Sequence, residues 1–128
     1  MSIGYLFNTN NVSGIGTSYD VSKFHSFKLP FFLSGEFRGR LGGLWVWTES
    51  IESATSITMR ISEDAEGDQA IITSTESTLD PGLTTTTTGS AVWDLSLDVA
   101  ICNDTVYLHC KTDAGTLTIN KVLITWKE

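Results

Sequence analysis

The chain has 128 residues, a mass of 14.0 kDa and a formal net charge of −7, with 15 acidic against 8 basic residues. This length predicts one domain, large enough to bury about two-thirds of its unfolded surface. An acidic surface without a run of Lys or Arg repels phosphate backbones and anionic lipids, so we expect neither a nucleic-acid nor a membrane partner.

The first residues, 1–22, contain three aromatic side chains among Asn, Ser and Gly, and they show no sustained period. They are expected to form either an edge strand over residues 3–7 followed by a loop, or an extended N-terminal arm. Tyr5, Leu6 and Phe7 are too apolar to stay in solvent, so they should pack on their own domain or on a neighbour. Residues 23–128 then form the domain proper.

Residues 24–33 alternate as a strand does, and Pro30 removes a ladder donor, which places an edge or a bulge there. Phe31 and Phe32 add apolar surface at its end. Over residues 44–48 both faces are apolar, with Trp45 and Trp47 on one of them. Such a strand is either covered by the core on both sides or meets a partner with its outer face.

Residues 57–62 and 69–73 read as two strands joined by the acidic loop 63–68. Carboxylates around Gly67 are ligands that calcium accepts, but their spacing does not fit an EF-hand, so a solvated hairpin loop is favoured and calcium binding stays open. The threonine run 84–88, between Pro81-Gly82 and Gly89, is typical of a surface loop.

Residues 90–126 contain three alternating runs separated by turn residues, and we expect a three-stranded antiparallel unit there. Trp93 and Trp126 are in phase with its core residues. The alternation changes phase near Asn120-Lys121, which predicts a β-bulge.

These elements predict an all-β fold. About eight short strands without a helical period indicate a two-sheet antiparallel β-sandwich, with jelly-roll connectivity preferred over an immunoglobulin-like order. The 18 Thr and 14 Ser, a quarter of the chain, agree with strands and turns.

No catalytic or metal-binding motif is evident. His25 and His109 occupy outward-facing or ambiguous strand positions and lack a nucleophile elbow, so they read as ordinary strand histidines. Cys102 and Cys110, eight residues apart, are expected to be reduced thiols, because neither a strand nor a hairpin brings them within disulfide distance. We therefore expect no enzyme and no cofactor.

Trp45 and Trp47 have two interpretations. Exposed tryptophans on a β-sandwich stack against sugar rings in many carbohydrate-binding modules. Core or subunit interface is the favoured role, because aromatic side chains are enriched in both, and glycan stacking is the alternative.

The block GLWVWTESIESATSITMRISEDAEGD, the threonine run and DTVYLHCKTDAGTLTINKVLITW together resemble small virion proteins of tailed bacteriophages, particularly those of cyanobacteria and other aquatic hosts. The resemblance implies a capsid decoration (cement) protein or a tail-fibre or knob module, often a homotrimer. The implied partner of the decoration protein is the major capsid protein. Its interface would include the apolar residues Tyr5, Leu6, Phe7, Phe31, Phe32, Trp45 and Trp47.

The same resemblance implies a location in the virion after synthesis in the host cytoplasm. The amino terminus agrees with synthesis there, because it lacks the basic start and apolar core of a signal peptide. No apolar stretch approaches the roughly 20 residues that span a bilayer.

Overall fold

The computed structural model describes residues 3–29, 39–52, 54, 56–66, 70–76, 91–101 and 105–127. These residues contain β-strands and no helix, which confirms the predicted fold class. The strands are β1 (Ile3–Asn8), β2 (Val12–Ile15), β3 (Phe24–Lys28), β4 (Gly39–Glu52), β5 (Ile57–Ser62), β6 (Ala70–Glu76), β7 (Ala91–Ile101), β8 (Thr105–Thr112) and β9 (Thr116–Lys127).

The strands form two antiparallel sheets. A five-stranded sheet has the order β1-β9-β4-β7, with β2 also paired to β9, and a four-stranded sheet has the order β3-β8-β5-β6. Because β1 and β2 follow each other along β9, they take one strand position between them. Eight positions in two antiparallel sheets, with the chain crossing repeatedly from one sheet to the other, form a jelly roll.

The predicted three-stranded unit at residues 90–126 is wrong as a unit. Its strands β7, β8 and β9 all exist, but β8 lies in the four-stranded sheet, and β9 lies between β1 and β4. Alternation tells which residues share a face of a strand, and it carries no information about which strand lies beside it. Here the chain changes sheets at each connection.

Of the two alternatives for residues 1–22, the edge strand is the one observed. β1 pairs with β9 from Ile3 opposite Lys127 to Asn8 opposite Val122. Gly4 lies under the ring of Trp126, and a Cβ at this position would overlap that ring. Residues 3–15 are therefore part of the sheet and do not extend away from it as an arm.

The core lies between the two sheets. Leu44, Val46 and Trp93 are fully buried there, while Trp126 is half-buried and packs against the core. The Nε1–H of Trp93 donates a 2.9 Å hydrogen bond to Oγ1 of Thr48. This bond satisfies the one polar group that the indole brings into the core.

Two local predictions are confirmed. β5 and β6 pair as an antiparallel hairpin across the acidic loop. In β9, Lys121 pairs with Trp47 while Ile119 pairs with the next residue, Thr48, so Asn120 is the extra residue of a bulge. Pro30, Phe31, Phe32 and the threonine run 84–88 lie outside the described residues.

Candidate interface on the outer face of the five-stranded sheet

Three neighbouring strands of the five-stranded sheet carry large apolar side chains on their outer face. Alternation along β1, β9 and β4 directs every second side chain away from the core. The register then brings Phe7 opposite Leu123, and Leu123 opposite Trp45. We call this surface the aromatic face, and its residues are Tyr5, Phe7, Trp45, Trp47, Lys121 and Leu123.

Much of the aromatic face is open to solvent. Tyr5 is 66% exposed and Phe7 50% exposed, and both tryptophans are half-buried. On β7 the exposed Val92 lies opposite Trp47 and extends the apolar surface across the sheet. Apolar side chains that adjoin one another in this way, across four strands of one sheet, are typical of a binding surface.

The rings of the aromatic face do not share a plane. Tyr5 and Phe7 meet edge to face, with centroids 5.7 Å apart and an interplanar angle of 79°. Phe7 and Trp47 lie 6.5 Å apart at 46°. These three rings are therefore tilted against one another and do not form a flat platform.

Lys121 places a positive charge within this apolar surface. Its ammonium nitrogen lies 4.3 Å from the centroid of Trp47 and 5.1 Å from that of Phe7. At these distances a cation is attracted to the electron-rich face of each ring. The lysine therefore covers part of both rings while its charge stays at the surface.

Trp45 lies over a glycine. A Cβ added to Gly43 would come within 2.9 Å of Cη2 and Cζ3 of Trp45. The strand has a β-bulge here, since its register with both neighbours shifts between Leu41 and Gly43. The absence of a side chain at Gly43 is thus what lets the indole lie against the sheet.

The predicted interface residues divide into three groups. Tyr5, Phe7, Trp45 and Trp47 lie together on the aromatic face. Leu6 lies on the opposite side of β1 and packs against the core. Phe31 and Phe32 lie outside the described residues.

Sequence reasoning missed two members of the aromatic face, and it also missed Val92, which extends the apolar surface beyond it. Lys121 and Leu123 lie in β9, where alternation alone predicts a solvent-facing side, and Val92 lies near the start of β7. Their place beside the aromatic rings follows from β9 lying between β1 and β4. The alternation of β9 predicted which of its side chains face outward, but nothing in the sequence identified the strands that lie beside β9.

A second surface lies over the outer face of the four-stranded sheet. The β2–β3 connection carries Tyr19, whose ring centroid is 3.9 Å from Cζ of Arg60 and 4.9 Å from Nζ of Lys111. His109, predicted to face outward or ambiguously, is fully buried in this region. Burial, and then the Arg60 guanidinium, lowers the pKa of His109, and the nearby backbone of Val21 opposes the shift only partly.

His25 and Cys110 are also buried. His25 Nε2 lies 2.8 Å from the carbonyl oxygen of Asn10, and burial lowers the pKa of its imidazole despite this contact. Cys110 is a free thiol whose pKa is raised by burial. A thiol held protonated in this way is a poor nucleophile and a poor metal ligand.

Within the part of the chain that the structure describes, no three His, Cys, Asp or Glu side chains converge to hold a metal ion. In the same residues, no helix has the length and apolar character needed to cross a membrane.

No protein-family model and no curated protein sequence matches this chain. Among solved structures, it is similar to a carbohydrate-binding module from glycoside hydrolase family 9 (Cel9A) of Ruminococcus flavefaciens FD-1. That match has a TM-score of 0.56 at 10% identity, over 99% of this chain and 100% of the module. Dimeric latent PorU of Porphyromonas gingivalis matches with a TM-score of 0.50 at 12% identity, over 96% of this chain and 12% of PorU.

The VP2 subviral particle of infectious bursal disease virus is also matched, with a TM-score of 0.46 at 12% identity, over 98% of this chain. This chain spans 32% of VP2, whereas it spans the whole of the carbohydrate-binding module. At such low identities, the likeness to the module and to PorU shows a shared fold alone.

Proposed function

We propose that the protein is a non-catalytic structural component of a virion, a capsid decoration protein that packs its aromatic face against a neighbouring protein subunit. The observation that carries this proposal is the exposure of Tyr5 and Phe7 beside Trp45 and Trp47 on one outer sheet face. The resemblance of the sequence to small phage virion proteins supplies the setting. The partner we propose is the major capsid protein.

The chemistry of the aromatic face suits a protein partner. Cores of protein interfaces are enriched in aromatic residues and depleted of charge, and their packing matches shapes rather than planes. Tilted rings such as Tyr5 and Phe7, at 79° to each other, offer protrusions that a complementary protein surface can enclose. Lys121 adds a single charge that selects a partner with an acceptor opposite it.

Self-association is the second part of the proposal. The resemblance implies that a decoration protein of this kind is a homotrimer, and the exposed Tyr5 and Phe7 could contact another copy as well as the capsid. Three copies stay a prediction that the mass in solution tests.

The experiment compares capsid shells of the encoding virus with and without the added protein. We expect bound protein to raise the temperature at which the shells lose their contents. A Tyr5→Ser/Phe7→Ser variant should lose this effect, because both side chains are exposed and contribute to binding more than to folding. Val21→Ser is the matched control, since Val21 is 55% exposed but lies in the β2–β3 connection.

Two results would contradict the proposal. One is an unchanged shell stability at saturating wild-type protein. The other is an equal loss of binding in the Val21→Ser control and the aromatic-face variant, since that would show no preference for this surface.

Glycan binding, as a tail-fibre or knob module, is the second candidate. The observation that favours it is the half-buried Trp45, whose six-membered ring lies beside Gly43 on the outer face of the sheet. The protein of similar fold from Ruminococcus flavefaciens is itself a carbohydrate-binding module. Against it, Lys121 covers part of the Trp47 ring. The ring planes also differ, by 46° between Phe7 and Trp47 and by 79° between Tyr5 and Phe7.

The two candidates separate in one assay. A glycan module should show a change in tryptophan fluorescence with host polysaccharide that Trp45→Ala abolishes. A blank glycan array together with unchanged fluorescence would exclude this candidate and leave the decoration role intact.

A further inference from the structure

We infer that the free edge of β1 is a self-association site, at which β1 of a second copy pairs antiparallel across a two-fold axis. The inference concerns how two copies of the chain bind each other. It rests on the proposed function only in that the same protein would also contact the capsid. Its observations are the composition of the edge strands, the lack of a second partner strand for β1 among the described residues, and the self-complementary order of the side chains of β1.

β1 differs in composition from the other edge strands. An exposed strand edge pairs with other chains unless charges, proline, bulges or short length prevent it. The opposite edge of the same sheet, β7, contains Asp94 and Asp98, and the edges of the other sheet contain Lys28 in β3 and Glu76 in β6. β1, with the sequence IGYLFN, contains no charge and no proline.

β2 shares the position of β1 along β9, but it is protected in another way. It has only four residues, its register with β9 shifts between Val12 and Ile15, and Gly14 adopts a φ of 70°. A short, irregular strand cannot present a regular ladder to a partner. The unprotected edge is therefore confined to the six residues of β1.

The backbone on the free side of β1 has no partner strand among the described residues. The sheet order ends at β1. Within the described ranges, backbone hydrogen bonds outside the ladders join Lys23 to Asp20 and Thr112 to Gly16, and neither involves β1. A side-chain bond from Nδ2 of Asn8 to the carbonyl oxygen of Ser26, 2.9 Å long, holds only the end of the strand.

The side chains of β1 are self-complementary. An axis beside Leu6 places Tyr5 opposite Phe7 of the second copy, and the reverse, on the outer face of both sheets. Residues directly opposite in an antiparallel pair have Cβ atoms about 4.5–5.5 Å apart, so the edge-to-face pair of each copy would continue into the other. No charge faces its own copy across the axis, although each chain carries −7 overall.

A two-fold contact of this kind closes after two copies. The two five-stranded sheets become continuous, and the aromatic faces join into one surface on the same side. The result is a dimer, which departs from the homotrimer that the resemblance implies. The mass of the particle decides between them.

The first test is the mass of the full chain in solution by light scattering after gel filtration. We expect about twice 14.0 kDa for the wild type. Tyr5→Lys should reduce the mass to that of one chain, because it gives β1 the kind of charge that the other edges have and places two like charges near the axis. Val21→Lys adds the same charge at another exposed apolar position and should leave the dimer unchanged.

The second test reads the register directly, in a Cys102→Ser background where the remaining Cys110 is buried. Tyr5→Cys and Phe7→Cys chains, mixed and oxidised, should form a disulfide between them. Each variant oxidised alone should cross-link poorly, because the axis pairs residue 5 with residue 7. Efficient cross-linking of each variant with itself would overturn this register.

A wild-type mass of one chain, or of three chains, would overturn the inference. These outcomes are separate from those of the capsid experiment. Single chains that still stabilise capsid shells would remove the edge contact and retain the decoration role. A dimer paired through β1 that has no effect on the capsid shells would retain the edge contact and remove the decoration role.

Discussion

The ammonium nitrogen of Lys121 lies 4.3 Å from the ring centroid of Trp47, on the outer face of the five-stranded sheet. The contact exists because β9 lies between β1 and β4, so that Lys121 has Phe7 on one side and Trp47 on the other. It determines how much of the tryptophan ring a partner can reach. A ligand that stacks on Trp47 would first have to displace the lysine.

Replacing Lys121 by methionine should expose the Trp47 ring and keep the apolar stem. We expect a shifted tryptophan emission maximum and a loss of about 0.5–1 kcal/mol in the free energy of unfolding, the usual value of an exposed cation–π contact. Urea denaturation followed by fluorescence measures both. Lys127→Met is the control, since Lys127 is exposed on the same strand and has no such ring contact in the described residues. Equal effects of the two substitutions would contradict the prediction.

Replacing Thr48 by valine should leave the buried indole N–H of Trp93 without its acceptor, which lies 2.9 Å away in the wild type. An unsatisfied buried donor costs about 1–3 kcal/mol, and the better strand propensity of valine does not offset this. The free energy of unfolding by chemical denaturation measures the cost. Thr116→Val, at an exposed position of β9, should be close to neutral.

Replacing Gly43 by alanine should displace the ring of Trp45, because the new Cβ would lie 2.9 Å from two of its atoms. We expect a changed near-ultraviolet circular dichroism signal and a loss of about 1–3 kcal/mol, as for overpacked sites. Gly16→Ala is the matched control, since a Cβ there meets nothing within 4 Å. Identical spectra for Gly43→Ala and the wild type would show that the indole does not lie over the glycine.

Acid should destabilise the fold through His25 and His109. Burial lowers the pKa of both imidazoles in the folded chain below the ordinary 6.5. As the pH falls below that value, the unfolded chain therefore binds more protons than the folded chain. Their contribution to stability is thus complete above pH 6.5 and is lost progressively below it. Denaturation at about pH 7.5 and 5.5, on either side of the ordinary imidazole pKa, measures the loss. A His25→Asn/His109→Gln variant should show a smaller dependence, and an unchanged dependence would contradict the assignment.

The fold class and several local features could be predicted from the sequence. Period-two alternation predicted the strands, and the phase change at Asn120 predicted the bulge, because both depend on residues close together in the chain. The burial of Trp93 followed from the same alternation. These features require no knowledge of which strands are neighbours.

Apart from the β5–β6 hairpin, the neighbours of the strands could not be predicted. Two sheets with the same alternation can be connected in many ways, and the predicted β7-β8-β9 unit failed for this reason. The prediction of the aromatic face was incomplete for the same reason. Lys121 and Leu123 belong to this face only because β9 lies between β1 and β4. His109 was missed because a loop covers a sheet face that alternation assigned to solvent.

The central position of β9 has a consequence for biosynthesis. It is the last of the described strands to leave the ribosome, yet it supplies the ladder for β1, β2 and β4. Until β9 emerges, the five-stranded sheet cannot assemble, and the uncharged β1 waits with both edges open. Nascent chains on one polysome are thus expected to associate most readily through β1 before β9 has paired with it, and a chaperone that binds extended apolar segments would protect β1.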